Sequence, residues 1–209
     1  AISVSRVNFD STLTLVTDVN LSDLETRTGG PIKVVVDQNA LTVNDGSDLD
    51  GGVTADTTGD VLLEATSGDV VLNADVASGT GHITITVGDD VDQQANISTG
   101  GTVLVSAANG GGADGIEGIA MASGSQTSGS SARLVATGES DILLGQVNAT
   151  NVSLLAERSI LDNNGGTVNV VGSVLRMVAD SDLAPGGVGQ IGLPAAGAVD
   201  TDVTTVAAL

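Results

Sequence analysis

The sequence predicts an all-β fold, a parallel β-helix (β-solenoid) with an aliphatic core, and three observations carry that expectation. The chain of 209 residues holds no Trp, no Tyr and one Phe, Phe9. Its apolar residues recur with period two in short segments bounded by Gly, Asp, Asn or Ser. No stretch shows helical periodicity with caps. An ordinary core of this size fills irregular gaps with aromatic rings. A chain without them needs a narrow, regular interior that small and branched side chains can fill, as inside stacked coils of parallel strand. The apolar fraction of 41% argues against disorder.

The strand-like segments are residues 13–15, 32–36, 61–65, 70–74, 83–87, 103–107, 134–136, 142–144, 152–156 and 168–170. In most of them the first, third and fifth positions are Val, Ile, Leu or Ala, and alternation places these on one face. The third inward position is often Ala, at Ala65, Ala74, Ala107, Ala136 and Ala156, which suits a corner where the interior tapers. Gly59-Asp60 and Gly68-Asp69 open two neighbouring strands and form the clearest local repeat. Two or three such strands make a coil of roughly twenty residues. Residues 113–122 hold two glycines and read as strand or loop, and the Gly-rich stretches 109–112 and 123–131 read as loops leaving the wall. Pro31, Pro185 and Pro194 lie beside glycines or at strand starts, where a missing N–H does little harm. One domain over residues 1–209 is expected, with Gly29-Gly30 as the one candidate internal boundary.

The formal net charge is −20, and the excess is mostly Asp, a turn residue. The six cations, Arg6, Arg27, Lys33, Arg133, Arg158 and Arg176, are scattered in sequence with no basic patch and no aromatic platform. That excludes nucleic-acid binding as an expectation. Such a surface keeps long fibres soluble and attracts divalent cations. The absence of cysteine suits an exported repeat protein and a cytosolic one equally. No apolar run has the length of a membrane span. The start, Ala1-Ile2-Ser3-Val4, carries no Met and no basic, apolar leader, which points to an origin in something longer.

The chemistry-bearing residues are few. The single histidine, His82, heads the strand at 83–87 and by alternation faces outward, where a surface role outweighs a catalytic one. No thiol is present, and one imidazole gives no hydroxyl an activating base that stands out. Carboxylates are plentiful, so a two-carboxylate glycosidase must be weighed, but platforms for sugar rings are missing. We therefore expect no enzyme, no catalytic residues and no bound cofactor. Calcium is the better chemical hypothesis. Residues 44–52 place Asp45, Asp48 and Asp50 in a Gly-rich loop, and Asp89-Asp90-Val91-Asp92 is more compact still. The first departs from the spacing of known calcium loops, and the alternative for both is a pair of acidic turns in water, so neither is committed as a metal site. Thr84-x-Thr86 and Thr12-x-Thr14 have the form of ice-ordering ranks but do not recur in register.

Two stretches, residues 132–164 and 190–209, resemble the repeat regions of giant bacterial surface proteins related to filamentous haemagglutinin. There, units of the type L-x-A-x-G-x-I-x-L and S-I-x-D-x-x-G recur. The run Gly115-Ile116-Glu117-Gly118-Ile119-Ala120-Met121-Ala122-Ser123-Gly124 is similar to another element of those arrays. The resemblance implies a right-handed parallel β-helix, export to the cell surface or beyond, and a role in adhesion or in an extracellular layer. It implies no catalytic residue. The expected function is a structural or adhesive extracellular filament segment. A carbohydrate-active or carbohydrate-binding β-helix and a calcium-dependent assembly module are the alternatives. The expected partners are further repeats or copies of the chain, end to end, and a neighbouring cell surface, since each coil needs a neighbour.

Overall fold

Strands with Val, Ile, Leu or Ala at every second position have one apolar side to bury and two hydrogen-bonding edges to satisfy. A computed structural model describes residues 2–7, 13–18, 24–46, 51–108, 118–181, 189–193 and 197–208. Among the described residues there are strands and turns but no helix. β1 (Ile2–Val7) and β2 (Leu13–Asp18) pair antiparallel in a two-stranded sheet of their own. The segment at 13–15 is thus a strand as expected, but its partner runs the opposite way.

From residue 24 onward the pairing between successive turns of chain is parallel. The first turn comprises β3 (Leu24–Thr26), β4 (Ile32–Val36) and β5 (Leu41–Val43). The second comprises β6 (Val53–Ala55), β7 (Val61–Ala65) and β8 (Val70–Leu72). β9 (Val76–Ser78), β10 (Ile83–Val87) and β11 (Val91–Gln93) follow, then β12 (Ile97–Ser98), β13 (Thr102–Ala107) and β14 (Gly118–Met121). Next come β15 (Gln126–Ala136) with β16 (Asp141–Leu144), and β17 (Gln146–Ala156) with β18 (Ile160–Asp162). β19 (Val170–Val178) and β20 (Thr201–Ala208) end the series.

The registers stack these strands into three faces. The first face runs through β3, β6, β9, β12 and the leading halves of β15, β17, β19 and β20. The second runs through β4, β7, β10, β13 and the trailing halves of the same long strands. The third is β5, β8, β11, β14, β16 and β18. The arrangement is all-β with parallel strands and fits a parallel β-helix or solenoid. Ile83 pairs with Val103 and Ala132 with Val152, a step of twenty residues, whereas Ile32 pairs with Val61 across a step of twenty-nine.

On the second face the inward columns are ladders of like side chains. Leu63, Ile85, Val105, Leu134 and Leu154 stack in register and are fully buried. Beside them Ala65, Val87, Ala107, Ala136 and Ala156 form a column of small residues at the corner toward the third face. Burying one such Leu, Ile or Val stabilises the fold by about 1.5–3 kcal/mol.

Three readings of the sequence need correction. Residues 126–131 are strand, not loop. Thr127 points inward and is fully buried, and the backbone pairs with β17, so the ladder overrides the weak strand preference of Ser and Gly. Gly29-Gly30 is a corner between β3 and β4, two strands of one turn, rather than a boundary. Gly59-Asp60 and Gly68-Asp69 open two strands of the same turn, as a coil of two or three strands requires. Strand β19 begins at Val170, and Asn169 stands just before it, fully buried. Of the segment 113–122, Gly118–Met121 is strand, and residues 113–117 and the Gly-rich stretch 109–112 lie outside the described residues, as do Pro185 and Pro194.

The true coil signal is a glycine column at the corner before the second face. Gly30, Gly59, Gly81 and Gly101 stack there, two residues ahead of Ile32, Val61, Ile83 and Val103. A Cβ on Gly81 would stand 2.2 Å from the Gly59 carbonyl oxygen, and one on Gly101 would stand 2.2 Å from that of Gly81. In these turns the corner closes only without side chains, and in the next turn Ser130 takes the position, its N–H and Oγ both donating to the Gly101 carbonyl.

Candidate functional site

The Asp excess has a local structural cause. Where a strand is about to begin, the preceding side chain accepts the backbone N–H of the equivalent residue one turn on. His82 N–H donates to Asp60 Oδ1 at 2.7 Å, and Asn96 N–H donates to Asp75 Oδ1 at 2.8 Å. Ser159 N–H donates to Asp141 Oδ1 at 2.7 Å, and Asp90 N–H donates to Asp69 Oδ1 at 3.3 Å. Amide side chains do the same, with Gln126 N–H on Asn96 Oδ1 at 3.0 Å and Asp200 N–H on Asn169 Oδ1 at 2.9 Å. These bonds satisfy corner donors that the strand ladders miss.

His82 belongs to the same series. It is exposed, as its position in the alternation predicts. Its Nδ1 accepts the Thr102 N–H at 3.2 Å and lies 2.8 Å from Thr102 Oγ1. The first bond requires the proton on Nε2.

The compact acidic candidate is brought together in part. Asp89 and Asp90 converge with Asp69 from the preceding turn, and one ligand oxygen of each lies within 4.8 Å of the others. Asp90 is 1% exposed and accepts the Gly118 N–H. Asp92 is not in the group. It stands on the outward side of β11 and accepts a hydrogen bond from Gln94 Nε2. Of the looser candidate at 44–52, residues 47–50 lie outside the described residues, and Asp45 and Gly51 border a hollow of about 240 Å³ shared with Asn73 and Asp75.

The cations are arranged in a way that their positions along the chain conceal. The registers place Lys33, Leu62, Thr84, Leu104, Arg133, Ser153, Arg176 and Ala207 in one outward column of the second face. Three of the six cations therefore share one column. Arg158 lies at the corner toward the third face, 3.3 Å from an Asp141 oxygen. The glycine corner marks only the first half of this column: Lys33, Leu62, Thr84 and Leu104 stand three positions after Gly30, Gly59, Gly81 and Gly101, whereas Arg133 and Arg176 stand three after Ser130 and Ser173.

No protein family, curated protein or solved structure matches this chain.

Proposed function

We propose that the chain is a load-carrying segment of an extracellular or cell-surface filament, wound as a right-handed parallel β-helix. The observation that carries this reading is the three-column register. Among the described residues its terminal strands β3, β4 and β5 at one end, and β20 at the other, pair along the ladder on one side only, while β18 meets a single further bridge from Ile160 to Ile191. Such edges are templates for another strand. The right-handed winding follows from the near-universal hand of crossovers between parallel strands. Export and adhesion rest on the resemblance to repeats of surface proteins related to filamentous haemagglutinin. The side chains that could do chemistry support the same reading, because Asp60, Asp75, Asp141 and His82 are spent on holding one turn to the next. Among the described residues no helix is long and apolar enough to cross a membrane.

The test is particle length. Small-angle scattering and electron microscopy should show rods that lengthen with protein concentration. Val34→Lys, which puts a charge on the inward side of the edge strand β4, should shorten them. Rods of fixed length in both chains would refute end-to-end assembly.

A second reading, calcium-dependent assembly, is favoured by the convergence of Asp69, Asp89 and Asp90. It requires a higher melting temperature in calcium than in chelator, with the difference lost in Asp89→Asn. Equal melting curves would remove it.

A further inference from the structure

We infer that the second face is a lateral docking surface for a second copy of this chain, which seats its acidic ridge there. The inference rests on the strand registers and not on end-to-end assembly, so either can fail alone.

The chain carries 26 acidic residues and six basic ones. The outward column from Lys33 to Ala207 has three cations and no acid. The neighbouring outward column is Val35, Glu64, Thr86, Ser106, Val135, Leu155 and Val178, with Glu64 its one charge. Together they make a strip with three cations against one carboxylate, and with apolar groups between. Val35 on this strip is 43% exposed, and Val174 beside it is 40% exposed. Thr102, Leu104, Ser131, Arg133, Asn151 and Ser153 border a shallow hollow of about 320 Å³ at its centre. Apolar area with a few cations and almost no acid is the composition of an interface core rather than of a solvated wall.

The complementary surface is the corner that the second face does not touch, between the third face and the first. Asp45, Asp75 and Asp200 are exposed along that corner, with Asp92 on the adjoining third face and Asp202 on the adjoining first face. No cation lies on the outward columns of those two faces, which read Thr42, Val71, Asp92, Ala120, Leu143, Leu161 and Glu25, Thr54, Ala77, Ser98, Ser128, Asn148, Val171, Asp202. Both surfaces advance by the same strand spacing of about 4.8 Å per turn. A second copy therefore offers the carboxylates of Asp45, Asp75, Asp92, Asp200 and Asp202, with no cation among these outward columns, to the cations of the strip. Front-to-ridge contact joins unlike surfaces, so it leaves each copy with a free face and builds bundles rather than closed dimers.

Net charge opposes the contact at long range, and this gives the proposal a signature. At about 0.15 M salt the screening length is ~8 Å, so the groups at the interface decide its sign; near 0.01 M it is ~30 Å, and the whole-chain repulsion dominates. Sedimentation velocity and small-angle scattering on the 209-residue chain should show lateral association, seen as an enlarged rod cross-section, that is greatest near 0.15 M and weaker at both 0.01 M and 1 M. Arg133→Glu/Arg176→Glu should weaken it about tenfold or more. Mixing that variant with Asp45→Lys/Asp92→Lys/Asp202→Lys should restore it. Arg133→Gln/Arg176→Gln, which removes the charge but keeps a polar side chain, should fall between, and circular dichroism checks that each variant folds. A single-rod cross-section at every salt concentration overturns the proposal. So does association that rises steadily with salt or that survives the double reversal. Binding of polygalacturonate to single rods through Arg133, with no self-association, overturns it in favour of an anionic glycan.

Discussion

The interior of the stacked turns has two unlike sides. Along the second face it is a dry ladder, with Leu63, Ile85, Val105, Leu134 and Leu154 fully buried in one column. At the corner between the third and first faces it is polar. Gln93, Thr127 and Asn169 are equally buried there, each at 0% exposure. Gln93 Nε2 donates to the Ala95 and Gln126 carbonyls at 3.0 and 3.2 Å, and its Oε1 accepts from Thr127 Oγ1 at 3.0 Å. Asn169 Nδ2 lies 3.1 Å from the Leu144 carbonyl oxygen, 3.2 Å from that of Gly145 and 2.9 Å from Asp162 Oδ1. The ladder is held by non-directional burial, whose strength grows with area. The corner is held by directed bonds that close backbone groups a tight bend leaves over. The first tolerates exchange among aliphatic side chains of like volume. The second specifies where the chain turns.

That contrast predicts where the largest loss lies. Leu134→Ala empties the middle of the dry column and should cost about 2–5 kcal/mol, the usual range for deleting a buried Leu. Chemical denaturation monitored by circular dichroism measures it. A cost under about 1 kcal/mol would mean that the column collapses around the gap and is not a packed ladder.

The two sides also differ in how far the sequence reveals them. The dry side is legible because period-two aliphatic segments such as 83–87 and 103–107 are long enough to show alternation. The three-residue strands of the first and third faces, such as β6 and β9, are too short to carry a period, and tertiary pairing decides them. The polar corner is hidden because a buried Gln or Asn looks like a surface residue until its partners are known. His82 and Thr102 are likewise adjacent only through a register of twenty residues. The cation column was invisible for the same reason: Lys33, Arg133 and Arg176 are separated by unequal turns, and the variable loop lengths break any simple spacing. The convergence of Asp89 and Asp90 with Asp69 needed the third-face register as well, although the compactness of residues 89–92 had marked the place.

A smaller loss is expected at the polar corner. Asn169→Leu keeps the branching of the side chain and removes the donor shared by Leu144, Gly145 and Asp162, and it removes the acceptor for Asp200 N–H. Leaving buried polar groups unsatisfied costs about 1–3 kcal/mol. Hydrogen exchange distinguishes this from a packing defect, because protection should fall first at Asp200 and at the start of β20. Uniform loss of protection through β7, β10 and β13 would show that the corner is not a separate determinant.

The smallest effect sharpens the comparison most, because it changes one atom type within the same shape. Thr127→Val replaces the hydroxyl that donates to Gln93 Oε1 with a methyl group, inside a site with no exposed surface. If the corner behaved like the dry ladder, the added apolar area would be neutral or stabilising. If directed bonds hold it, the Gln93 oxygen loses its donor and the fold loses about 0.5–1.5 kcal/mol. The double change Gln93→Leu/Thr127→Val removes both partners, so its cost should fall short of the sum of the two single changes, by an amount that measures the bond itself. Strict additivity would mean that Gln93 is held by the Ala95 and Gln126 carbonyls alone, and that the buried threonine is a spacer rather than part of the network.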